Sequence, residues 1–199
     1  MRSLRLVRSA LLGFATACSG LQPALAISPS HPKLPFYDWG ACPFECCTYR
    51  DWATTGHVEF RTKPSRGAAI AFRLVKGEPV RGLTGVVITR TYGVTRILRP
   101  MKIGYVGKEE LPRLAIKPGA LVYTLHYEGE GYDKFWFNGS VYSDQISMPD
   151  DARRTVPNSE NVQVISRPKY EWWAKVRTTD GRVGWTDQTD RFSNIDACG

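Results

Sequence analysis

The chain has 199 residues, 42% hydrophobic, 12% aromatic and 23% charged. That is globular composition, which excludes disordered, collagen-like and low-complexity classes and fits one domain or two small ones. The formal charge is +8, and no run of about eighteen apolar residues lies beyond the first 26, so the body carries no integral membrane span.

Residues 1–26 read as a secretory signal peptide. Arg2, Arg5 and Arg8 precede an apolar run, Ala10 to Ala17, and a small-x-small site at Ala24-Leu25-Ala26. This order of regions is that of a cleaved export signal. Cleavage after Ala26 leaves 173 residues, with 24 basic against 19 acidic side chains and a net charge of +5. It also removes Cys18, so five cysteines become four. A rival route starts from Ala15-Thr16-Ala17-Cys18, which resembles a bacterial lipobox except that Ala15 stands where Leu is preferred. In that case Cys18 would be acylated, and one acyl chain anchors a protein only marginally.

Residues 27–54 come next. Residues 27–36 hold three prolines and two serines and predict a solvated lead-in, and 37–52 is a cysteine- and aromatic-dense segment expected to be irregular. From Val58 the hydrophobic runs are short and separated by glycines. Val58-x-Phe60 and Ile70-x-Phe72-x-Leu74 alternate, and Val86-Val87-Ile88 is β-branched. Turn signals every eight to twelve residues predict an all-β sandwich or barrel. A 3.6-residue period shows only weakly, around 108–116.

In the second half, Asn138-Gly139 between strand-like runs predicts a hairpin with a type I′ turn. Asp180-Gly181 predicts another by the same logic. In its first strand Trp172, Ala174 and Val176 point one way, toward a core. Trp173, Lys175 and Arg177 point the other, toward solvent or ligand. Residues 147–169, with Asp150-Asp151 and Arg153-Arg154, read as a long loop.

The closing stretch 172–186 resembles the end of bacterial SH3-like domains, where a Trp, a buried Val, a Gly turn and Gly-Trp follow one another. Here these are Trp173, Val176, Gly181, Gly184 and Trp185. Residues 58–80 resemble the opening of such a domain through Arg61, Pro64-Ser65, Leu74, Lys76-Gly77-Glu78 and Val80. Lys117 to Tyr123 is a second start-like phrase. The resemblance implies two SH3-like barrels in tandem, 55–113 and 114–199, the second carrying 147–169 as an insertion. The first copy departs from the family in lacking a closing Gly-Trp. A single larger β domain is the alternative.

Four cysteines in an exported chain imply disulfides. Cys42, Cys46, Cys47 and Cys198 allow three pairings, and a bond between adjacent Cys46 and Cys47 would close a strained ring. Two pairings remain, each joining Cys42 to one of the vicinal pair and Cys198 to the other. The spacing is not that of a zinc knuckle, and His31, His57 and His126 add no metal pattern. No Cys-x-x-Cys, nucleophile signature, phosphate loop or cofactor motif appears. Glu109-Glu110, Asp150-Asp151 and Glu128-Gly-Glu130 read as solvated turns. Basic and aromatic residues alternate in 167–177, but export argues against a nucleic-acid partner.

The expectation is therefore a non-catalytic binding module of the cell envelope. It would hold a peptide or peptidoglycan-like ligand in an aromatic groove, with Tyr127, Trp136 and Trp173 as exposed contacts. The competing expectations are a small secreted hydrolase acting on envelope polymer, and a structural or inhibitory partner of another envelope protein.

Overall fold

A computed structural model describes residues 30–106, 109–146 and 161–198. The signal-like segment 1–26 with Cys18, the start of the lead-in, and residues 147–160 with their acidic and basic pairs lie outside the described residues. The fold is all-β, as composition and turn spacing predict. Its strands are β1 (Phe36–Trp39), β2 (Asp51–Thr54), β3 (Val58–Arg61), β4 (Ile70–Leu74), β5 (Pro79–Thr91), β6 (Gly93–Ile97), β7 (Met101–Val106) and β8 (Glu109–Ile116). They continue as β9 (Leu121–Gly129), β10 (Tyr132–Phe137), β11 (Ser140–Asp144), β12 (Val162–Ser166), β13 (Lys169–Thr178), β14 (Val183–Thr186) and β15 (Phe192–Ser193).

Hydrogen bonding does not follow the expected break at 113/114. One sheet runs β15-β2-β5-β13-β14-β3-β4, with β1 added along the far half of β5. The long strand β5 pairs with β13 from Val80–Thr178 to Thr91–Lys169. A second sheet, β11-β10-β9-β6-β12, and the hairpin β7–β8 come from residues between β5 and β13. The arrangement is thus nested. Residues 58–80 and 172–186, two of the three stretches that carry the family resemblance, lie in one sheet, and 93–166 is inserted between them with the third, Lys117 to Tyr123, running into β9. A sequence reader places neighbours in sequence together, whereas β5 and β13 are joined by their complementary buried faces across the insertion.

The first core is enclosed by the curl of this sheet and holds Trp52, Val58, Phe60, Phe72, Leu74, Val80, Ala174, Val176 and Phe192. Burying side chains of this size is the main favourable term, on the order of 1.5–3 kcal/mol each. The Gly-Trp signature has a packing reason here. A Cβ on Gly184 would lie 2.8 Å from Cβ of Phe60 and 3.0 Å from the Phe72 ring, rings that stack at 4.6 Å. Thr54 ties the curl at its edge, accepting from Gly77 N–H (2.8 Å) and, at its hydroxyl, from Glu78 N–H (2.9 Å). The second core gathers Ile97, Ile103, Ile116, Val122, Phe135, Ile146 and Val162 between the second sheet and the β7–β8 hairpin.

Local turn chemistry sets the hairpins. Phe137 pairs with Ser140, leaving Asn138 (φ 48°) and Gly139 (φ 88°) as the two-residue turn that their sequence predicts. The second hairpin differs from its expectation. Thr178 N–H donates to the Arg182 carbonyl, so three residues form the loop, and only Gly181 takes positive φ. Three other expectations are corrected. The segment around 108–116 is strand β8, because it pairs with β7. The irregular segment 37–52 contains most of β1 and the start of β2. The loop 147–169 contains the edge strand β12, paired with β6. Within the lead-in, Pro32 is buried.

The cysteines pair as Cys42–Cys47 and Cys46–Cys198, one of the two arrangements left open by sequence. Backbone bonds from Thr48 to Ile195 and from Ala197 to Cys46 hold the same ends together. The second bond spans 152 residues, a loop for which chain entropy alone is worth about 5 kcal/mol.

Candidate functional site

Strand β1 has two unlike faces. Its residues alternate Phe36-Tyr37-Asp38-Trp39, and pleating sends Tyr37 and Trp39 one way and Asp38 the other. Pairing places Trp39 opposite Val86 and Tyr37 opposite Ile88. Across β5, Val86 faces Trp173 and Ile88 faces Glu171. The outer face therefore carries the row Trp39–Val86–Trp173, and Val86, Ile88, Trp173 and Trp185 form a third apolar cluster there. Trp39 reaches across this row to meet Trp185 edge-on, with ring centroids 6.0 Å apart at 73°. Tyr37 lies beside Trp39, nearly parallel, at 6.0 Å. Trp39 is 61% exposed and Tyr37 42%. Lys175 Nζ sits 5.6 Å from the Trp185 ring centroid.

The other face of β1 holds it against the second sheet. Asp38 Oδ2 accepts from Lys134 Nζ at 2.6 Å and meets His126 Nε2 at 2.8 Å. His126 is wholly buried, and its Nδ1 faces the Tyr127 carbonyl at 2.8 Å. Each ring nitrogen therefore faces an acceptor, the Tyr127 carbonyl on one side and the Asp38 carboxylate on the other. Lys134 also reaches Glu128 at 3.0 Å, and Glu128 accepts from the Ser143 hydroxyl. Burial pushes the Asp38 carboxyl up, but hydrogen bonds from His126 and Lys134 outweigh it and hold the group below its ordinary value. Burial likewise disfavours the Lys134 ammonium, and Asp38 and Glu128 more than compensate, raising it. Nearby, burial pushes Tyr49 up to about 12; its hydroxyl donates to the Ala41 carbonyl.

Sequence placed the exposed aromatics elsewhere. Trp173 does project from the outer face with Lys175, but it is 0% exposed. Its row neighbour Val86 and the Trp39–Trp185 pair belong to strands that join β13 only in the folded sheet. Trp136 is 7% exposed and packs on Tyr123 at 5.6 Å. It forms part of the wall of a groove of about 690 Å³ with Leu121, Tyr123, Phe137 and Asn138. Tyr127 is half-buried, and its hydroxyl accepts from Gly131 N–H at 2.9 Å, bracing the β9–β10 turn. The three residues therefore stand on β9, β10 and β13 and do not converge. The residues that sequence reading passed over are Tyr37 and Trp39. Their alternation about Asp38 was the available signal, hidden in a segment that its cysteines made look irregular.

Comparison with protein-family models, curated proteins and solved structures gives no match for this chain. The site is read from its own chemistry. Asp38, His126 and Glu128 are close enough to share a metal ion, but the carboxylates that would neutralise one already converge on the Lys134 ammonium. Cys46 and Cys198, which lie near Asp196, are disulfide-bonded and offer no thiolate. The aromatic outer face is different. Over its buried cluster it presents the rings of Tyr37 and Trp39 to solvent, with no covering strand on them among the described residues.

Proposed function

We propose that this protein is an exported, non-catalytic binding module of the bacterial cell envelope that holds an extended peptide or peptidoglycan-like ligand on aromatic side chains. The observation that carries the reading is Trp39, 61% exposed yet fixed in a paired strand between Tyr37 and Trp185. Rigid, exposed aromatic clusters of this kind mark interaction sites, because leaving them in water is unfavourable. Export is supported by the order of charged, apolar and small residues in 1–26 and by two disulfides, the chemistry of an oxidising compartment. No helix among the described residues is long and apolar enough to cross a membrane.

We read the SH3-like resemblance as one unit, because 58–80 and 172–186 line one core, whereas Lys117 to Tyr123 places Ala120 and Val122 at the other. A hydrolase is less well supported. Asp38 and Glu128 converge on Lys134 rather than across an open cleft. The test is co-sedimentation with purified cell wall. Wild type is expected in the pellet and Trp39→Ala in the supernatant, whereas equal behaviour of the two would remove the reading. Trp173→Ala is unsuitable because it would empty a buried site.

A further inference from the structure

We infer that the ligand of the Trp39 surface is a carboxylate-bearing glycan strand. This deepens the binding-module reading above and rests on it. Tyr37 and Trp39 offer exposed ring faces, whose negative quadrupole suits the C–H faces of pyranose rings. Its acids are already engaged. Glu171 is held by Arg90 at 2.6 Å, Asp187 by Arg66 at 2.7 Å, and Glu59 by Arg73 at 3.3 Å.

One cation is left over. Lys175, beside Trp185, has no carboxylate partner among the described residues. A surface with an unpaired ammonium at Lys175, carboxylates already paired with arginines, and the exposed rings of Tyr37 and Trp39 suits a ligand rich in acceptors, flat on its apolar side and negatively charged. A peptide strand fits less well, because each residue brings a backbone N–H while the carboxylates Glu171, Asp187 and Glu59 of this face are already paired. A glycan strand carrying carboxylates meets all three conditions.

The experiment titrates the whole mature chain with three soluble probes. These are peptidoglycan glycan strands freed of stem peptides, which retain lactyl carboxylates; chitohexaose, which is neutral; and polyglutamate. Binding is read by tryptophan fluorescence and calorimetry, with near-UV circular dichroism confirming that each variant is folded. The carboxylate-bearing glycan is expected to bind best. Trp39→Ala should weaken it about thirty-fold or more, as for a central aromatic anchor. Lys175→Gln should weaken it about two- to five-fold at low salt, with the difference fading as salt is raised. Equal binding of chitohexaose, or no effect of Lys175→Gln, would overturn the carboxylate assignment. Binding of polyglutamate or stem peptide in preference to glycan would overturn the inference and leave the binding module standing. Failure of the protein to bind any probe or intact cell wall would remove both.

Discussion

The two sheets are built in opposite ways. The second is made from one continuous stretch, and β9, β10 and β11 follow one another as hairpins whose turns are written in the local sequence. The first is assembled from the chain's two flanks, β1 to β5 and β13 to β15, and has the four disulfide-bonded cysteines where those flanks meet. Local hairpins need little loop closure, whereas pairing β5 with β13 closes a loop that contains the entire second sheet. The comparison teaches why the disulfide that spans 152 residues sits where it does. It stabilises the sheet whose chain-entropy cost is largest, which is also the sheet that carries the aromatic surface.

Variants at the seam and in the turns separate the two sheets experimentally. The largest effect is expected from Cys46→Ser/Cys198→Ser. Loss of the long-range bond should lower stability by about 4–5 kcal/mol. Hydrogen exchange should then speed first in β5, β13 and β2, while β9 and β10 stay protected; uniform loss of protection would show that the two sheets unfold as one. Gly129→Ala comes next. Gly129 has φ +114°, and a Cβ there would lie 2.7 Å from Glu45 N and 3.0 Å from the Phe44 carbonyl carbon. Forcing apart the cysteine loop and the β9–β10 turn should cost about 2–3 kcal/mol in urea unfolding.

The latch between the sheets is a pH experiment. Asp38 is held below its ordinary value of 3.8. Its contribution is therefore complete above that value and is lost as pH falls through the lower folded one. Lys134 is raised above 10.5, so its contribution is complete below that value and is lost as pH rises through the higher folded one. Asp38→Asn should remove about 1–3 kcal/mol near neutrality, because Lys134 and His126 lose a shared partner. It should also flatten the acid limb of a stability-versus-pH curve. An unchanged acid limb would mean that Asp38 does not join the sheets. The smallest stability effect belongs to Trp39→Ala, within about 0.5 kcal/mol, as for an exposed position, even though binding is lost.

Much of the second sheet was legible because its signals are local. Asn138-Gly139 specifies its own turn, and the strands on either side are short and alternating. Gly184 also announced itself through a family phrase, and the Phe60–Phe72 stack explains why no larger residue fits. What sequence could not supply was which strand lies beside which. Trp173 follows the expected alternation yet is buried, and Trp39, from a strand 134 positions earlier, is the exposed indole beside Trp185. Tyr127 looked like a ligand contact and instead braces a turn through Gly131. Asp38, His126 and Lys134 are unremarkable in sequence and become a site only when β1, β9 and β10 meet.

The central claim is that ligand is held on the Trp39 face and not in the groove beside Trp136. The chain has six tryptophans, so the indole N–H signals of the ¹⁵N-labelled protein form a small, assignable set. Titration with solubilised peptidoglycan fragments is predicted to shift the signals of Trp39 and Trp185 and to leave Trp136 and Trp52 in place. Movement of the Trp136 signal, with Trp39 unchanged, would contradict the account.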